Sequence, residues 1–332
     1  MAGSAAHVVF PPKLRPGDQL RVIAPARSLA LIASPQRDAA QARLAKLGLG
    51  VGFGDHVEEE DAFVSSGVAH RVKDLHAGFA DPRVAGMLTV IGGFNSNELL
   101  PHLDWDLIQA NPKVLCGYSD ITALQNAIYA HTGLVTYSGP HYSSFAMRDY
   151  AEDTVAWFAD CLMREGPLPL RPAATWTDDE WWMDQDARNP RPNDGWWVLR
   201  EGSGAGTILG GNLCTLNLLQ GTPHMPTADR CVLFVEDDYE SHPHHFARDL
   251  TSLLQAIPRE QVAALLIGRF QAASEMTRPL LAEIVNRQPL RPDTPVVANL
   301  DFGHTSPLLT FPVGGNADVA AGPAATITIT AH

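Results

Sequence analysis

The serine in Val114-Leu115-Cys116-Gly117-Tyr118-Ser119-Asp120-Ile121-Thr122-Ala123-Leu124 stands where a nucleophile belongs. An apolar run is followed by a tight turn, and then by apolar residues at helical spacing from Ile121 to about Ala130. A hydroxyl on that corner lies at the positive end of a helix, where an attacking oxygen and the oxyanion it creates can both be served. The match to the hydrolase elbow Gly-x-Ser-x-Gly is partial, because Ile121 takes the place of the last glycine. A Ser-Asp pair at a helix entrance also serves as an N-cap, and the segment alone leaves both readings open.

Three further groups would complete acyl-transfer chemistry. Gly92-Gly93 follows an apolar stretch and is either a tight turn at positive φ or an exposed amide aimed at an oxyanion. Glu236 ends the apolar run from Arg230 to Val235, and His304 follows Asn299-Leu300-Asp301-Phe302-Gly303. An acid holding the His304 Nδ1 proton would leave Nε2 facing Ser119. The order Ser, acid, His is that of the α/β-hydrolases. Asp237, Asp238 and Glu240 compete with Glu236, within an acidic run that is otherwise a solvated corner. His242, His244 and His245 look like a metal cluster, but their spacing fits no common zinc pattern and Pro243 interrupts any helix there. They are expected at a helix entrance.

Parallel strands with right-handed crossovers would deliver these groups to one edge. Strands are expected at Gln19 to Pro25, near Val51, at Val84 to Ile91 and at Leu134 to Ser138. Helices are expected at Pro35 to Leu47 with Ser34 as N-cap, at Ala69 to Ala80, at Glu98 to Ala110 and at Tyr150 to Arg164. Ligands of open α/β sheets bind beyond the carboxyl ends of strands, where both the Gly92 and the Ser119 turns fall. From Gly166 to Gly206 the chain turns rich in Pro, Trp and Asp without a clear period. It holds Trp176, Trp181, Trp182, Trp196 and Trp197, five of the seven tryptophans. These either staple the segment to the two domains or offer a flat face to a planar ligand. The second half is expected to start at Thr207 to Leu209 with a Gly-Gly-Asn turn. Helices at Leu213 to Gln220, Phe246 to Ala256 and Pro279 to Asn286 and strands at Ala263 to Ile267 and Pro295 to Leu300 follow, with short strands from Leu308 to Thr330.

Composition excludes several classes. A chain of 332 residues that is 45% hydrophobic can bury a large core, with two domains the expectation. A net charge of -13 argues against nucleic acid or an anionic membrane surface as partner. Met1 to Pro16 has no charged start followed by an apolar run, and no segment reaches the roughly 18 apolar residues of a spanning helix. The cytoplasm is the expected address. Cys116, Cys161, Cys214 and Cys231 are scattered and expected to be reduced.

The segments Ile91 to Ile108, Lys113 to Leu124, Ile208 to Leu216, Leu233 to Glu240 and Asn299 to Gly314 together resemble the serine LD-carboxypeptidase family, in order and over nearly the whole chain. The resemblance implies a Ser-Glu-His hydrolase, usually a homodimer, needing neither metal nor cofactor. Its fold would be α/β, a Rossmann-like parallel-sheet domain over residues 1–165 and a smaller β-rich α/β domain over 207–332. A Trp-rich linker and substrate loop over 166–206 would join them. Carried over by position, the nucleophile is Ser119, the acid Glu236 and the base His304. Gly93 and Asp120 supply the oxyanion amides, Asp120 through its backbone and not its carboxylate.

Ile91 before Gly92, continuing Phe94-Asn95-Ser96-Asn97, is similar to the branch of the microcin C immunity peptidase. Murein-trimming members tend to carry Arg-Gly-Gly-Tyr-Gly there. The branch implies an aminoacyl or peptidyl nucleotide substrate, met by Gly92, Phe94, Asn95 and Ser96, with its base stacked on Trp181 or Trp182. One alternative is release of terminal D-alanine from murein tetrapeptide. Another is a ligand-binding homologue without catalysis, for which a fluorophosphonate would fail to label Ser119.

Overall fold

The computed structural model describes residues 7–332. The N-terminal half alternates strands and helices: β1 (Gln19–Ile23), α1 (Ser34–Lys46), β2 (Gly50–Phe53), α2 (Val68–Ala80), β3 (Val84–Thr89), α3 (Trp105–Ala110), β4 (Val114–Gly117), α4 (Thr122–Thr132), β5 (Thr136–Ser138) and α5 (Glu152–Met163). Ser34 is the first helical residue of α1 and not its cap, since Ala33 occupies that position without a side-chain bond. The helix expected from Glu98 to Ala110 is two pieces. Pro101 has no N–H to continue an α-helix, so Ser96–His102 winds as tighter 3-10 turns. Asp104 then caps α3 afresh, accepting from the Leu107 amide.

The stretch without a legible period is not bare loop. It carries β6 (Leu168–Pro169), β7 (Thr175–Trp176), β8 (Arg191–Pro192) and β9 (Trp197–Arg200). There follow β10 (Gly202–Asn212), α6 (Leu213–Asn217), β11 (Cys231–Glu236), α7 (Pro243–Ala256), β12 (Val262–Gly268), α8 (Arg278–Asn286), β13 (Val296–Leu300), β14 (Phe311–Val313), β15 (Asn316–Ala321) and β16 (Ala325–Ala331). Strand β10 starts at Gly202, ahead of the expected Thr207, and the anticipated Gly210-Gly211-Asn212 turn lies inside it, paired with Phe234 to Glu236. Helix α7 begins at Pro243, ahead of the expected Phe246, because a first-turn proline lacks only an amide that would be unbonded anyway.

Two sheets organise these elements. The first runs β14-β5-β4-β3-β1-β2, the second β6-β16-β15-β10-β11-β12-β13-β9, and β7 pairs with β8 alone. In the first sheet β1 to β5 are parallel, and β14 adds an antiparallel edge from the far end of the chain. In the second, β10 to β13 are parallel inside antiparallel flanks. One apolar cluster spans the halves, joining Leu115, Leu124 and Ile128 to Leu213, Leu233 and Leu265. Helix α4 sits between the sheets. Asn126 Nδ2 donates to the Gly210 carbonyl and Thr122 Oγ1 accepts from the Asn212 amide. The parallel cores of both sheets therefore present their carboxyl ends in fixed relation. No helix of the described residues is long and apolar enough to cross a membrane.

Candidate active site

Ser119 follows β4 directly and is held at φ +60, a left-handed conformation that costs a non-glycine residue energy and recurs at functional corners. The turn it opens has no side-chain cap bond, so the N-cap reading of this serine fails. Its Oγ instead lies 3.0 Å from His304 Nε2. The other ring nitrogen, Nδ1, lies 2.7 Å from Glu236 Oε2. With the Nδ1 proton donated to the carboxylate, Nε2 is left to accept from the hydroxyl. Glu236 is the last residue of β11, and His304 stands on the loop after β13. Between them Gly303 has φ +105, and a Cβ there would sit 2.7 Å from Glu236 Oε2, so only glycine lets the loop close on the acid.

The competing acids separate by position. Asp237 is buried and its Oδ1 accepts from Asn212 Nδ2 at 3.2 Å, while the Asp238 carboxylate takes the Glu240 amide. Burial, then Glu236 and Asp238, push the Asp237 carboxyl up to about 7. Burial pulls the His304 imidazole down, but the charge and hydrogen bond of Glu236, with Asp238 and Asp237 behind it, outweigh this and set it at about 9. A second imidazole, His141, sits behind the serine turn. Burial, with a smaller contribution from His304, drives it down to about 3, and its Nδ1 lies 2.7 Å from Thr89 Oγ1. The Tyr118 ring packs between the two histidines, with centroids 4.3 Å from His141 and 5.3 Å from His304.

The glycine turn comes against this corner. Neither Gly92 nor Gly93 has positive φ, which corrects the tight-turn reading. Space is the constraint instead: a Cβ on Gly92 would lie 3.0 Å from Ser119 Cβ and 3.1 Å from Oγ, and one on Gly93 3.0 Å from Ala26 Cβ. Among the described residues no other backbone group engages the Gly93 or Asp120 amide. The Asp120 carboxylate has a structural duty that the sequence reading denied it. Its Oδ2 accepts the Ser96 amide at 2.9 Å while Ser96 Oγ donates to the Asp120 carbonyl at 2.6 Å, clamping glycine turn to serine turn. Asn95 is turned inward too, its Nδ2 donating to Ser65 Oγ. Phe94 points outward and meets Phe63 edge-on at 6.0 Å. A cleft lined by Tyr118, Trp181, Trp182, His304 and Thr305 opens beside the serine. The two tryptophan planes stand at 85° with centroids 6.0 Å apart, Trp182 the more exposed.

Sequence comparison matches residues 20–139 to the LD-carboxypeptidase N-terminal domain and residues 205–319 to the LD-carboxypeptidase C-terminal domain. The chain belongs to the LD-carboxypeptidase family. This is a family of serine peptidases, and the protein is a serine hydrolase. Within it, the YocD protein of Bacillus subtilis, which bears a provisional carboxypeptidase name, is 46% identical over 94% of this chain and 96% of its own. The crystal structure of an MccF-like protein from Bacillus anthracis superposes with a TM-score of 0.96 at 45% identity, covering 98% of this chain and 100% of that one. The microcin C7 self-immunity protein MccF of Escherichia coli is 32% identical over 76% of both chains. Its structure with aspartyl sulfamoyl adenosine superposes with a TM-score of 0.87, covering 98% of this chain and 99% of that one.

For this LD-carboxypeptidase-family chain, the sequence reading missed a device that seats part of the tryptophan segment, around Trp176, Asn193 and Trp196. Arg269 and Asp301, both buried, pair at 2.8 Å. Asp301 Oδ2 also accepts from the Ala173 amide and from Trp196 Nε1, and Arg269 reaches Asn193 Oδ1 at 2.9 Å while lying under the Trp176 ring. Asp301 stands three residues before His304 in the sequence, a proximity that could have drawn attention to it. Its arginine partner comes from another strand end and carries no sequence signal.

Proposed function

We propose that this chain hydrolyses the acyl bond joining an amino acid, Asp or Glu, to an adenylate-like group, with Ser119 as nucleophile, His304 as base and Glu236 as its orienting acid. The observation that carries the proposal is the 3.0 Å contact of Ser119 Oγ with His304 Nε2 beside a cleft walled by two tryptophans. Ser119 Oγ attacks the acyl carbon as His304 Nε2 takes its proton. The tetrahedral oxyanion is held by the Gly93 and Asp120 amides, where losing one donor typically costs about 10²-fold to 10³-fold in kcat. His304 then returns the proton to the leaving nitrogen, and water repeats the sequence on the acyl-serine, releasing the amino acid and restoring the hydroxyl. Trp181 or Trp182 stacks the nucleobase, a contact worth about 1 to 3 kcal/mol. Asn95 and Ser96 shape the turn rather than reach the ligand, since their side chains are spent on Ser65 and Asp120.

Ser119→Ala should abolish hydrolysis of glutamyl and aspartyl sulfamoyl adenosine with unchanged thermal unfolding, and full activity in that variant would sink the mechanism. Trp181→Ala or Trp182→Ala should raise KM for the nucleotide, by roughly 5-fold to 100-fold if one full stack is lost. The LD-carboxypeptidase description of the matched domains favours a second substrate, murein tetrapeptide ending in D-alanine. Side-by-side kcat/KM values decide between the two.

A further inference from the structure

The histidines at the start of α7 are not where ligating atoms converge: the rings of His242 and His244 stand 6.2 Å apart, and His242 Nδ1 is 3.9 Å from Glu275. They converge on the 54–67 loop between β2 and α2. His56 and Glu59 belong to that loop and His70 to the first turn of α2. One ligating atom from each of the three lies within 4.8 Å of the other two, the only such group among the described residues. We propose that His56, Glu59 and His70 bind a divalent transition-metal ion of the zinc class, with water completing the coordination.

The site is built from one fixed ligand and two mobile ones. Asp74, buried on α2, accepts the His56 Nδ1 proton at 2.7 Å through Oδ1 and the His56 amide at 2.9 Å through Oδ2. That pair of bonds sets the tautomer, leaving Nε2 with its lone pair free for an ion, as the carboxylates behind metal-bound histidines do. The approach is close enough that a Cβ on Gly54 would meet Asp74 Oδ2 at 2.5 Å. The His70 ring stacks on His56, with centroids 4.2 Å apart at 26°, and its Nδ1 lies 2.6 Å from Glu59 Oε2. An ion would replace the proton shared by that last pair. Bonds of about 2.0 to 2.1 Å in a tetrahedron set ligand separations near 3.3 Å. His70 and Glu59 side chains are 50% and 44% exposed and can rotate to that spacing, while His56 is held. Two imidazoles with one carboxylate select zinc-class ions over magnesium or calcium, which prefer all-oxygen sites. The ion would tie the loop to α2, and Ser65 on the same loop holds Asn95 beside the glycine turn, so the role is to stiffen that wall and not to take part in hydrolysis.

Chelator-treated full-length protein should bind one equivalent of Zn²⁺ in calorimetric titration and give a tetrahedral Co²⁺ absorption spectrum. His56→Ala and His70→Ala should each weaken Zn²⁺ binding more than about 10-fold, and Asp74→Asn about 10-fold. His244→Ala should leave it unchanged. His70 is half-exposed, so His70→Ala should keep the native circular dichroism and remain informative if His56→Ala does not fold. Wild-type protein that binds no Zn²⁺, or a folded His70→Ala that binds it as wild type does, overturns the proposal.

Discussion

Glu236 controls the proton affinity of the proposed base, and this has opposite effects on activity and stability. The His304 imidazole must be neutral to accept from Ser119, yet the carboxylate at 2.7 Å holds it at about 9. kcat/KM should therefore climb through the alkaline range. Glu236→Gln removes the charge that raises the imidazole, so its ascending limb should move toward the ordinary histidine value of about 6.5. Loss of the orienting charge should also cut kcat by roughly 10³-fold to 10⁴-fold. Stability runs the other way. A group whose folded pKa is raised contributes fully below its unfolded value, about 6.5, and loses that contribution as pH rises through about 9. The stability advantage of wild type over Glu236→Gln, followed by urea unfolding, should be present near pH 6 and shrink toward pH 9. A gap that widened with pH would refute the assignment of that shift to the Glu236 pair.

At the level of turns and strand ends, two glycines fail in different ways when given a methyl group. Gly303 combines φ +105 with a 2.7 Å approach to the acid, so Gly303→Ala strains the backbone and pushes on a buried side chain. It should cost about 1 to 3 kcal/mol of stability as well as activity. Gly92 has no such backbone demand, and its added Cβ would sit 3.1 Å from Ser119 Oγ. Gly92→Ala should keep its melting temperature within a few degrees and lose activity, because the methyl group fills space the substrate carbonyl needs. Equal melting losses in both variants would show that Gly92 is constrained by the turn and not by the site.

Across the whole molecule, the buried Arg269–Asp301 pair seats the part of the tryptophan segment around Trp176, Asn193 and Trp196. Removing one partner of such a pair strands the other charge, at a cost of about 3 to 5 kcal/mol. Arg269→Met should lower the unfolding midpoint accordingly. It should also raise KM for a nucleotide substrate more than it lowers kcat, because Asn193, Trp176 and Trp196 all lean on the pair while the Ser119–His304 contact does not. A loss confined to kcat would show that the pair acts on the reacting groups. The halves are joined with equal economy: β14, from the last tenth of the chain, completes the edge of the first sheet, and Asn126 and Thr122 bond to β10.

Residue types and local period made Ser119, Glu236 and His304 candidates, because each follows an apolar run whose end the sequence marks. Period left Asp237, Asp238 and Glu240 competing for the acid, and the family resemblance, not spacing, assigned the roles. Alternation of strand and helix was enough for the α/β class. What failed locally has local causes: Pro101 broke a continuous apolar pattern, and Pro243 started a helix that proline was expected to stop. The remainder belongs to no single segment. Whether Gly92 serves φ or space depends on how near Ser119 comes, and Asp120 gains a duty for its carboxylate only once Ser96 is folded against it. The Arg269–Asp301 pair and the His56, Glu59 and His70 group join residues from separate elements, with no spacing to mark them. The sequence by itself marked which groups were candidates for the chemistry, through apolar runs, turns and the motifs that resemble a known family. Only the tertiary structure decided which of them touch, since contact across elements depends on crossovers and side-chain packing that no local pattern encodes.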